Sequence, residues 1–242
     1  WHNAQVPKAW KKSLLIPILK PGKDKALPAS YRPISLISCL AKIMERIIQE
    51  RLSWFLESTS SLSPDQYGYR SGRSTLDPLI ALEHDIQDCL RNRKYLRVVF
   101  LDIDKAFDRA SHYLVLTKLA KLGINGRMLR WIKSYLSDRT FEVSIASSLS
   151  QSCCVKSGVP QGSILSPTLF NVLMHDTPHN PDVKKSIYAD DLKLWAAGSD
   201  LLEVTAQLQD SIDELSAWCE DNDLTVTASK LTSVQLKSCH HN

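Results

Sequence analysis

The sequence of 242 residues lacks several features that would place it in particular protein classes. No apolar run reaches the roughly 18 residues that a membrane-spanning helix needs, so we expect no membrane partner. No internal repeat or low-complexity tract stands out, and hydrophobic residues make up 43%, which excludes a disordered or fibrous chain. Residue 1 is Trp rather than Met, so we expect a fragment of a longer protein, in which a missing targeting signal means little.

The six cysteines lack the spacing of a metal site or a disulfide framework. None forms a CxxC pair, and Cys153 and Cys154 are adjacent, which suits neither a tetrahedral zinc site nor a simple disulfide pattern. The pair His240-His241 lies at the C-terminal end, where metal binding is not expected. The cysteines are therefore interpreted as reduced thiols of an intracellular protein.

The charge is divided unevenly along the chain. Residues 1–75 hold 12 Lys and Arg against 5 Asp and Glu, whereas the remainder holds 18 against 21. A basic N-terminal third followed by a mildly acidic remainder suggests that the N-terminal third binds phosphate groups. A solvated basic surface without a ligand would give the same charge count.

Apolar spacing and turn residues predict strands and helices that do not alternate in βαβ order. This mixture favours an α+β fold with an antiparallel sheet over a doubly wound sheet. A basic loop is expected over 20–33, and a Ser-rich loop over 58–75. Strands are predicted at 11–19, 97–103, 140–145, 150–156, 186–197 (two around an Asp pair) and 224–237 (two). Helices are predicted at 36–57 (apolar stripe Leu36, Leu40, Ile43, Ile47, Leu52, Leu56), 77–91 (N-cap Asp77), 111–122, 125–137, 166–175 and 201–219 (apolar face Leu201, Leu208, Ile212, Leu215, Cys219).

Two adjacent carboxylates interrupt the apolar segment SIYADDLKLW, residues 186–195. Unpaired, Asp190 and Asp191 would repel each other at a hairpin tip, and a divalent cation would remove that repulsion. The strand RVVFLDI ends near Asp102, which could approach the same tip. Three such carboxylates suffice to hold two Mg²⁺ ions about 3.5–4 Å apart for an in-line phosphoryl transfer. An ordinary turn with solvated acids remains the alternative on the Asp pair alone.

Seven ordered blocks make the chain resemble a known family. They are PILKPGK, YRPISL, KIMERIIQERL, QYGYRSGRST, FLDIDKAFDRASH, GVPQGSILSPTLFN and YADD. In this order they are similar to the reverse transcriptase domain of non-LTR (LINE-type) retrotransposons, with the jockey-like group as the candidate clade. The resemblance implies a right-hand polymerase fold in which 1–95 form fingers with early palm elements and 96–242 form palm. Part of 110–160 would pack toward the fingers, and the thumb would be mostly absent.

The resemblance also implies roles for individual residues. Asp102, Asp190 and Asp191 match the metal-binding catalytic aspartates, with two Mg²⁺ ions as cofactors and Mn²⁺ as an alternative. Phe107 matches the aromatic that excludes a 2′-hydroxyl, and Gln161 matches the residue that contacts the incoming nucleotide.

Basic residues are assigned to phosphates on the same grounds. Arg32 matches the arginine of the fingers, and Lys20, with Lys23 as an alternative, would join it at the triphosphate. Lys230 matches a lysine near the leaving pyrophosphate, a candidate general acid. Gly72 and Arg73 are expected to follow the template backbone.

Three positions of the sequence depart from the family pattern. Thr227 replaces Asn and Leu231 replaces Thr in the Lys230 segment, and Ser111 stands where many relatives have Trp. These changes put fine geometry in doubt and leave the metal site intact. Asp104 and Asp108 match positions that the family does not usually use as metal ligands, and Asp108 is interpreted as structural.

The leading hypothesis is RNA-directed DNA polymerase activity on an RNA template, a DNA primer and dNTPs. The alternative is a catalytically incomplete fragment that only binds RNA or DNA. A phosphorylation domain of the receiver type is disfavoured, because its acidic pair would come early in an alternating βα pattern. An intracellular location, in nucleus and cytoplasm as an element ribonucleoprotein, is expected from the family. Oligomeric state stays open.

Overall fold

The computed structural model describes residues 3–227 and 232–237, and its elements mix helices and strands. The strands are β1 (Lys12–Leu19), β2 (Tyr31–Leu36), β3 (Tyr95–Asp102), β4 (Thr140–Ile145), β5 (Ser148–Leu149), β6 (Cys153–Cys154), β7 (Lys184–Tyr188), β8 (Asp191–Gly198) and β9 (Thr232–Lys237). The helices are α1 (Cys39–Ser58), α2 (Leu76–Arg91), α3 (Ala106–Arg109), α4 (His112–Lys121), α5 (Gly126–Leu136), α6 (Ser166–Met174) and α7 (Leu201–Asp221).

The chain divides into two compact units, each assembled from two separate segments. The first unit comprises Trp1–Ser61 and Phe107–Leu173, and the second comprises Leu62–Ala106 and Met174–Asn242. Each unit contains its own sheet. The assignment of 1–95 to fingers and 96–242 to palm stays a prediction.

The sheet of the first unit has the order β2-β1-β4-β5, with β6 also pairing with β4. β1 and β2 are antiparallel, so that Ile18 lies opposite Arg32, whereas β1 and β4 run parallel. The predicted hairpin of 140–145 with 150–156 is confirmed as antiparallel pairing of β4 with β5 and β6. The predicted loop over 20–33 is too long, since β2 begins at Tyr31.

Helix α1 buries a different face from the one that the apolar stripe predicted. Its buried residues are Ala41, Glu45, Ile48, Leu52 and Leu56. The predicted residues Leu40, Ile43 and Ile47 are exposed, and Leu36 belongs to β2 and is exposed as well. Only the Leu52 and Leu56 part of the prediction was right. The reason is that α1 carries apolar residues at helical spacing on two faces, and packing selects the face that includes Glu45.

The sheet of the second unit has the order β7-β8-β3-β9 and is antiparallel throughout. Alternation along β3 places Leu96 and Val98 on one face, where they pack with Cys89 of α2 and Trp195 of β8. On the other face, Arg97 donates a hydrogen bond to Thr205 of α7 at 2.9 Å. The sheet thus lies between two helices, as the α+β prediction requires.

Several element ends differ by a few residues from the predicted ones. Helix α2 starts at Leu76 with Thr75 at the N-cap position, so Asp77 lies in the first turn, where its carboxylate accepts from the Ser74 amide at 2.7 Å. Val226 forms a single bridge with Ile103 rather than a strand. Helix α7 buries Val204 and Ser211 in addition to Leu208, Leu215 and Cys219, while Leu201 and Ile212 are half-buried.

Within the described residues, no helix combines the length and the hydrophobicity needed to cross a bilayer.

Candidate active site

The second unit brings two of the predicted aspartates to directly opposite positions. β3 ends at Asp102 and β8 begins at Asp191, and the antiparallel register pairs these two residues. Residues paired in this way point to the same face, with Cβ atoms about 4.5–5.5 Å apart. Alternation puts Asp102 on the face of Leu96, roughly 20 Å further along the strand. The carboxylates therefore lie beyond the packed apolar part of that face.

Asp190 occupies the two-residue loop that joins β7 to β8. Tyr188 and Asp191 close this hairpin as a pair, which leaves Ala189 and Asp190 as the loop. The carbonyl of Asp190 accepts a hydrogen bond from the Ile103 amide at 3.2 Å, so the loop is tied to the end of β3. Ala189 has φ 56, a left-handed conformation that costs an L-residue about 1–2 kcal/mol. The strained conformation of Ala189 must therefore be stabilised by contacts with neighbouring segments.

The segment 65–69 provides part of that support. Tyr67 donates its amide to the Ile187 carbonyl at 2.9 Å, and Ile187 donates to the Asp65 carbonyl at 2.8 Å. A Cβ added at Gly68 would lie 2.7 Å from the Ala189 nitrogen, so only glycine fits against the hairpin. Sequence reasoning missed this role, although the glycine between two tyrosines in QYGYR was a signal for it.

Charge and side-chain contacts at this end of the sheet involve two further residues. Burial, and then the negative charge of Asp190, raise the pKa of Tyr69 above its ordinary value. Thr227 donates its amide to the Asp102 carbonyl at 2.7 Å, and its hydroxyl donates to Asp102 Oδ2 at 3.3 Å. The departure from the family pattern at 227 therefore still places a hydrogen-bond donor against Asp102. Lys230 lies outside the described residues.

The donor set fits a hard divalent cation in part. Carboxylate oxygens are the ligands that Mg²⁺ prefers, and Mg²⁺ is commonly bound by one or two carboxylates plus water and substrate phosphates. Asp102 and Asp191 supply such a pair. In residues 3–227 and 232–237 no three Asp, Glu, His or Cys side chains are grouped so that they could hold an ion by themselves. The three-aspartate ligand set stays a prediction.

Phe107 and Gln161 belong to the first unit, where one loop joins them. The Phe107 ring stacks on buried Phe170 with centroids 4.9 Å apart, and the Phe107 carbonyl accepts from the Val159 amide at 2.7 Å. Gln161 Nε2 donates to Asp108 Oδ1 at 3.1 Å. This contact agrees with the structural interpretation of Asp108.

The loop Gly158–Ser163 depends on two glycines with positive φ. Gly158 has φ 87, and a Cβ there would lie 2.5 Å from the Asp108 carbonyl oxygen. Gly162 has φ 116, and a Cβ there would lie 2.7 Å from the Ser35 carbonyl oxygen. Close backbone approach at both ends therefore excludes a side chain.

The predicted phosphate-binding residues Lys20 and Arg32 lie at the same end of the β1–β2 hairpin. Lys20 follows β1 directly, and its Nζ donates to the Ala29 carbonyl at 3.1 Å. Arg32 is exposed on β2. The pair borders the basic segment that also contains Lys23. Binding of a triphosphate by Lys20 and Arg32 stays a prediction.

Arg73 of the second unit instead makes contacts within its own loop. Its guanidinium lies 5.2 Å from the centre of the Tyr67 ring and donates to the Pro64 carbonyl at 2.9 Å. A template contact at Arg73 or Gly72 stays a prediction.

Comparison with known proteins identifies the family. The model of the family described as "Reverse transcriptase (RNA-dependent DNA polymerase)" matches residues 18–240. The probable RNA-directed DNA polymerase from transposon BS of Drosophila melanogaster is 37% identical, over 88% of this chain and 24% of that protein. The RNA-directed DNA polymerase from mobile element jockey of the same species is 36% identical, over 94% of this chain and 26% of that protein. The chain thus spans about a quarter of the length of these relatives.

The fold is shared with solved structures of low sequence identity. Apo telomerase from Candida tropicalis, truncated from its C-terminal domain, superposes with a TM-score of 0.68 at 14% identity, over 98% of this chain and 52% of that one. At this identity the likeness shows the fold alone, and it confirms the predicted right-hand polymerase fold. With the match over residues 18–240, the chain belongs to the reverse transcriptase (RNA-dependent DNA polymerase) family.

Proposed function

We propose that this chain is the RNA-directed DNA polymerase domain of a non-LTR retrotransposon, which extends a primer 3′-hydroxyl with dNTPs. The observation that supports the proposal most directly is that Asp102 of β3 pairs with Asp191 of β8 in the antiparallel sheet, while Asp190 lies in the adjoining loop. In a chain of the reverse transcriptase family, this register supports a site in which the two carboxylates would bind a hard cation beside a triphosphate.

Asp102, Asp190 and Asp191 would hold two Mg²⁺ ions, or Mn²⁺ in their place. When bound, such ions supply an activated hydroxyl nucleophile and neutralise charge on the attacking and leaving oxygens. The protein contributes geometry: the strand pairing fixes two carboxylates, and Thr227 orients Asp102 through its hydroxyl. Orientation of this kind matters because a misplaced ligand weakens binding in the transition state.

The nucleotide would be recognised by residues of the first unit. Gln161 would contact the incoming nucleotide, and the Phe107 ring would exclude a 2′-hydroxyl by its bulk. Arg32 and Lys20 would bind the triphosphate, the guanidinium as a fork and the ammonium as a point charge. Lys230 would protonate the leaving pyrophosphate. These roles come from the family pattern, and the anchored loop and the basic hairpin end support them.

The partners proposed are an RNA template, a DNA primer and dNTPs, within an intracellular element ribonucleoprotein of nucleus and cytoplasm. The basic residues 1–75 support a nucleic-acid partner, because clustered Lys and Arg attract phosphates. A solved structure that shares the fold, telomerase from Candida tropicalis, is in complex with the TWJ fragment of telomeric RNA, which supports an RNA partner for this chain.

Primer extension on an RNA template with Mg²⁺ tests the proposal directly. The wild-type chain should extend a DNA primer with dNTPs, and Asp190→Asn should lose extension while keeping its thermal unfolding temperature. A wild-type chain that binds RNA in a salt-dependent way without extending the primer would support the binding-only alternative. An Asp190→Asn chain that extends as well as wild type would overturn the metal assignment.

A further inference from the structure

A carboxylate with no role so far is buried in the core of the first unit. Glu45 lies on the inner face of α1 and is 1% exposed, between Ala41 and Ile48 on the same face. Burial of an ionised carboxylate is unfavourable unless hydrogen bonds compensate it. The partners of Glu45 therefore indicate what it is there to hold.

Those partners belong to the loop that carries Gln161. Glu45 Oε2 accepts from Ser163 Oγ at 2.6 Å and from the Ile164 amide at 2.9 Å. Both are charge-assisted bonds, which are shorter and about twice as strong as neutral ones. A single oxygen thus fixes one side chain and one backbone group just after Gln161.

A second layer of contacts extends this network. Because Ser163 donates to Glu45, its oxygen accepts from the Tyr135 hydroxyl, 2.6 Å away. Burial, and then the charge of Glu45, raise the pKa of Tyr135 to about 12, so the phenol stays protonated and can donate at neutral pH. The guanidinium of Arg139 lies 4.9 Å from the centre of the Tyr135 ring and donates to the Tyr135 carbonyl at 3.2 Å. The network is fully inside the first unit.

Gln161 lies between two fixed points. On one side, its own carbonyl accepts from the Ser35 amide of β2 at 2.7 Å. On the other side, two residues along the chain, Ser163 is bound to Glu45. Gly162 joins the two points in a backbone conformation that packs against the Ser35 carbonyl. A shift of Ser163 would therefore be transmitted to Gln161.

Both fixed points belong to the segment that also carries Arg32. Arg32 and Ser35 lie three residues apart on β2, and α1 with Glu45 follows directly. A strand rises about 3.3 Å per residue, so Arg32 lies about 10 Å from Ser35. The β2–α1 segment thus holds the Arg32 backbone and the loop of Gln161 in one frame.

We infer that Glu45 is a positioning residue for the incoming nucleotide, because its buried carboxylate fixes the loop of Gln161 against the segment that carries Arg32. The inference rests on the proposed polymerase function and deepens it. Glu45 touches no substrate; it acts through Ser163, Ile164 and the backbone that leads to Gln161.

Steady-state insertion of a single dNTP by the full chain tests this role. In Glu45→Met, the KM for dNTP should rise roughly 10- to 100-fold, because charge-assisted bonds to the loop are lost. The kcat at saturating dNTP should stay within about threefold, since the aspartates are untouched. Glu45→Gln keeps an acceptor of the same shape and should raise KM by only about threefold to tenfold.

Stability separates positioning from a structural role. Glu45→Met leaves the Ser163 hydroxyl and the Ile164 amide without their acceptor, so its unfolding temperature should fall. Glu45→Gln keeps an acceptor for both donors and should keep an unfolding temperature near that of wild type, so a raised KM in Glu45→Gln reports positioning rather than lost stability. Ser163→Ala is a milder variant, which keeps the Ile164 bond and should raise KM less than Glu45→Met. The matched control is Glu50→Gln, an exposed glutamate of the same helix, which should behave as wild type.

Amide hydrogen exchange gives a readout that does not depend on activity. In Glu45→Met, exchange at Ile164 and Ser35 should increase at least about tenfold, while amides within α5 stay unchanged. Unchanged exchange at both amides would overturn the inference, as would variants with wild-type KM or a loss confined to kcat. A wild-type chain that extends no primer would instead count against the proposed function, so the two failures are distinguishable.

Discussion

Asp102 and Asp190 of the second unit are half-buried and Asp191 is exposed, whereas Glu45 of the first unit is 1% exposed. The aspartates owe their places to backbone: a strand register for Asp102 and Asp191, and a two-residue loop for Asp190. Glu45 instead works through its side chain, which holds Ser163 and Ile164. A carboxylate that binds a cation must be accessible to that cation and its substrate. A carboxylate that fixes a loop forms stronger hydrogen bonds when it is buried away from water.

The difference means that the two regions should fail in different ways. A change of charge at an aspartate leaves the hairpin intact and removes a ligand, so chemistry should suffer while the fold persists. A change in the backbone around the hairpin should move all three aspartates together. The loop of the first unit should respond mainly in nucleotide affinity, as expected from the role inferred for Glu45.

The largest effect is expected from Asp102→Asn. The amide keeps the shape and the bond to Thr227 but loses the charge, so kcat for primer extension should fall roughly 10³-fold. Asp104→Asn is the matched control two residues along; kcat there should change less than about threefold. Equal losses in the two variants would show that strand position does not decide which acid is a ligand.

A backbone change at the hairpin should come next. Gly68→Ala places a Cβ 2.7 Å from the Ala189 nitrogen, and relief of that clash should lower the free energy of unfolding by roughly 2–3 kcal/mol and displace the hairpin. Gly72→Ala is the control: its φ is +71, but no atom lies within 4 Å of the added Cβ, so about 1 kcal/mol is expected. Urea unfolding measures both losses.

Primer extension should also fall for Gly68→Ala, because the displaced hairpin carries Asp190 and Asp191. A Gly68→Ala chain with wild-type stability and extension would contradict the close packing of segment 65–69 on the hairpin.

Much of the second unit was predictable because its pattern is local. Apolar runs predicted β3 and β8 as strands, and the charged interruption at Asp190-Asp191 predicted the turn, so the approach of Asp102 to that turn followed from antiparallel pairing. The contacts of Gly68 with Ala189 and of Thr227 with Asp102 were not predicted. The glycine in QYGYR signals close packing, but the local sequence does not show which distant backbone approaches it.

In the first unit, sequence patterns did not predict which face of a helix is buried. Helix α1 has apolar residues on two faces, and Leu40 and Ile43 were predicted buried on spacing alone. The face that packs inward includes Glu45, a residue that any apolar pattern assigns to solvent. Its burial depends on hydrogen bonds to Ser163 and Ile164, more than 100 residues away in the sequence. Long-range polar pairs of this kind leave no periodic signal.

A smaller effect, confined to sugar selection, is expected from Phe107→Val. The ring is backed by Phe170, so truncation should open space rather than collapse the loop. The preference for dNTP over rNTP, as the ratio of the two kcat/KM values, should fall roughly 10- to 100-fold. Competition between dCTP and rCTP at a single template position measures the ratio. Unchanged discrimination, with dCTP insertion intact, would remove Phe107 from the nucleotide site.

The smallest effect is expected at Thr227. Thr227→Val has the same shape but no hydroxyl, so Asp102 loses one hydrogen bond at 3.3 Å while the backbone bond at 2.7 Å remains. One bond from a neutral donor to a carboxylate should change kcat/KM by roughly threefold to tenfold. Thr227→Asn, which introduces the residue of the family pattern, restores a donor and should return kcat/KM toward the wild-type value. If valine and asparagine behave alike, the hydroxyl does not orient Asp102, and the strand register alone accounts for the position of that carboxylate.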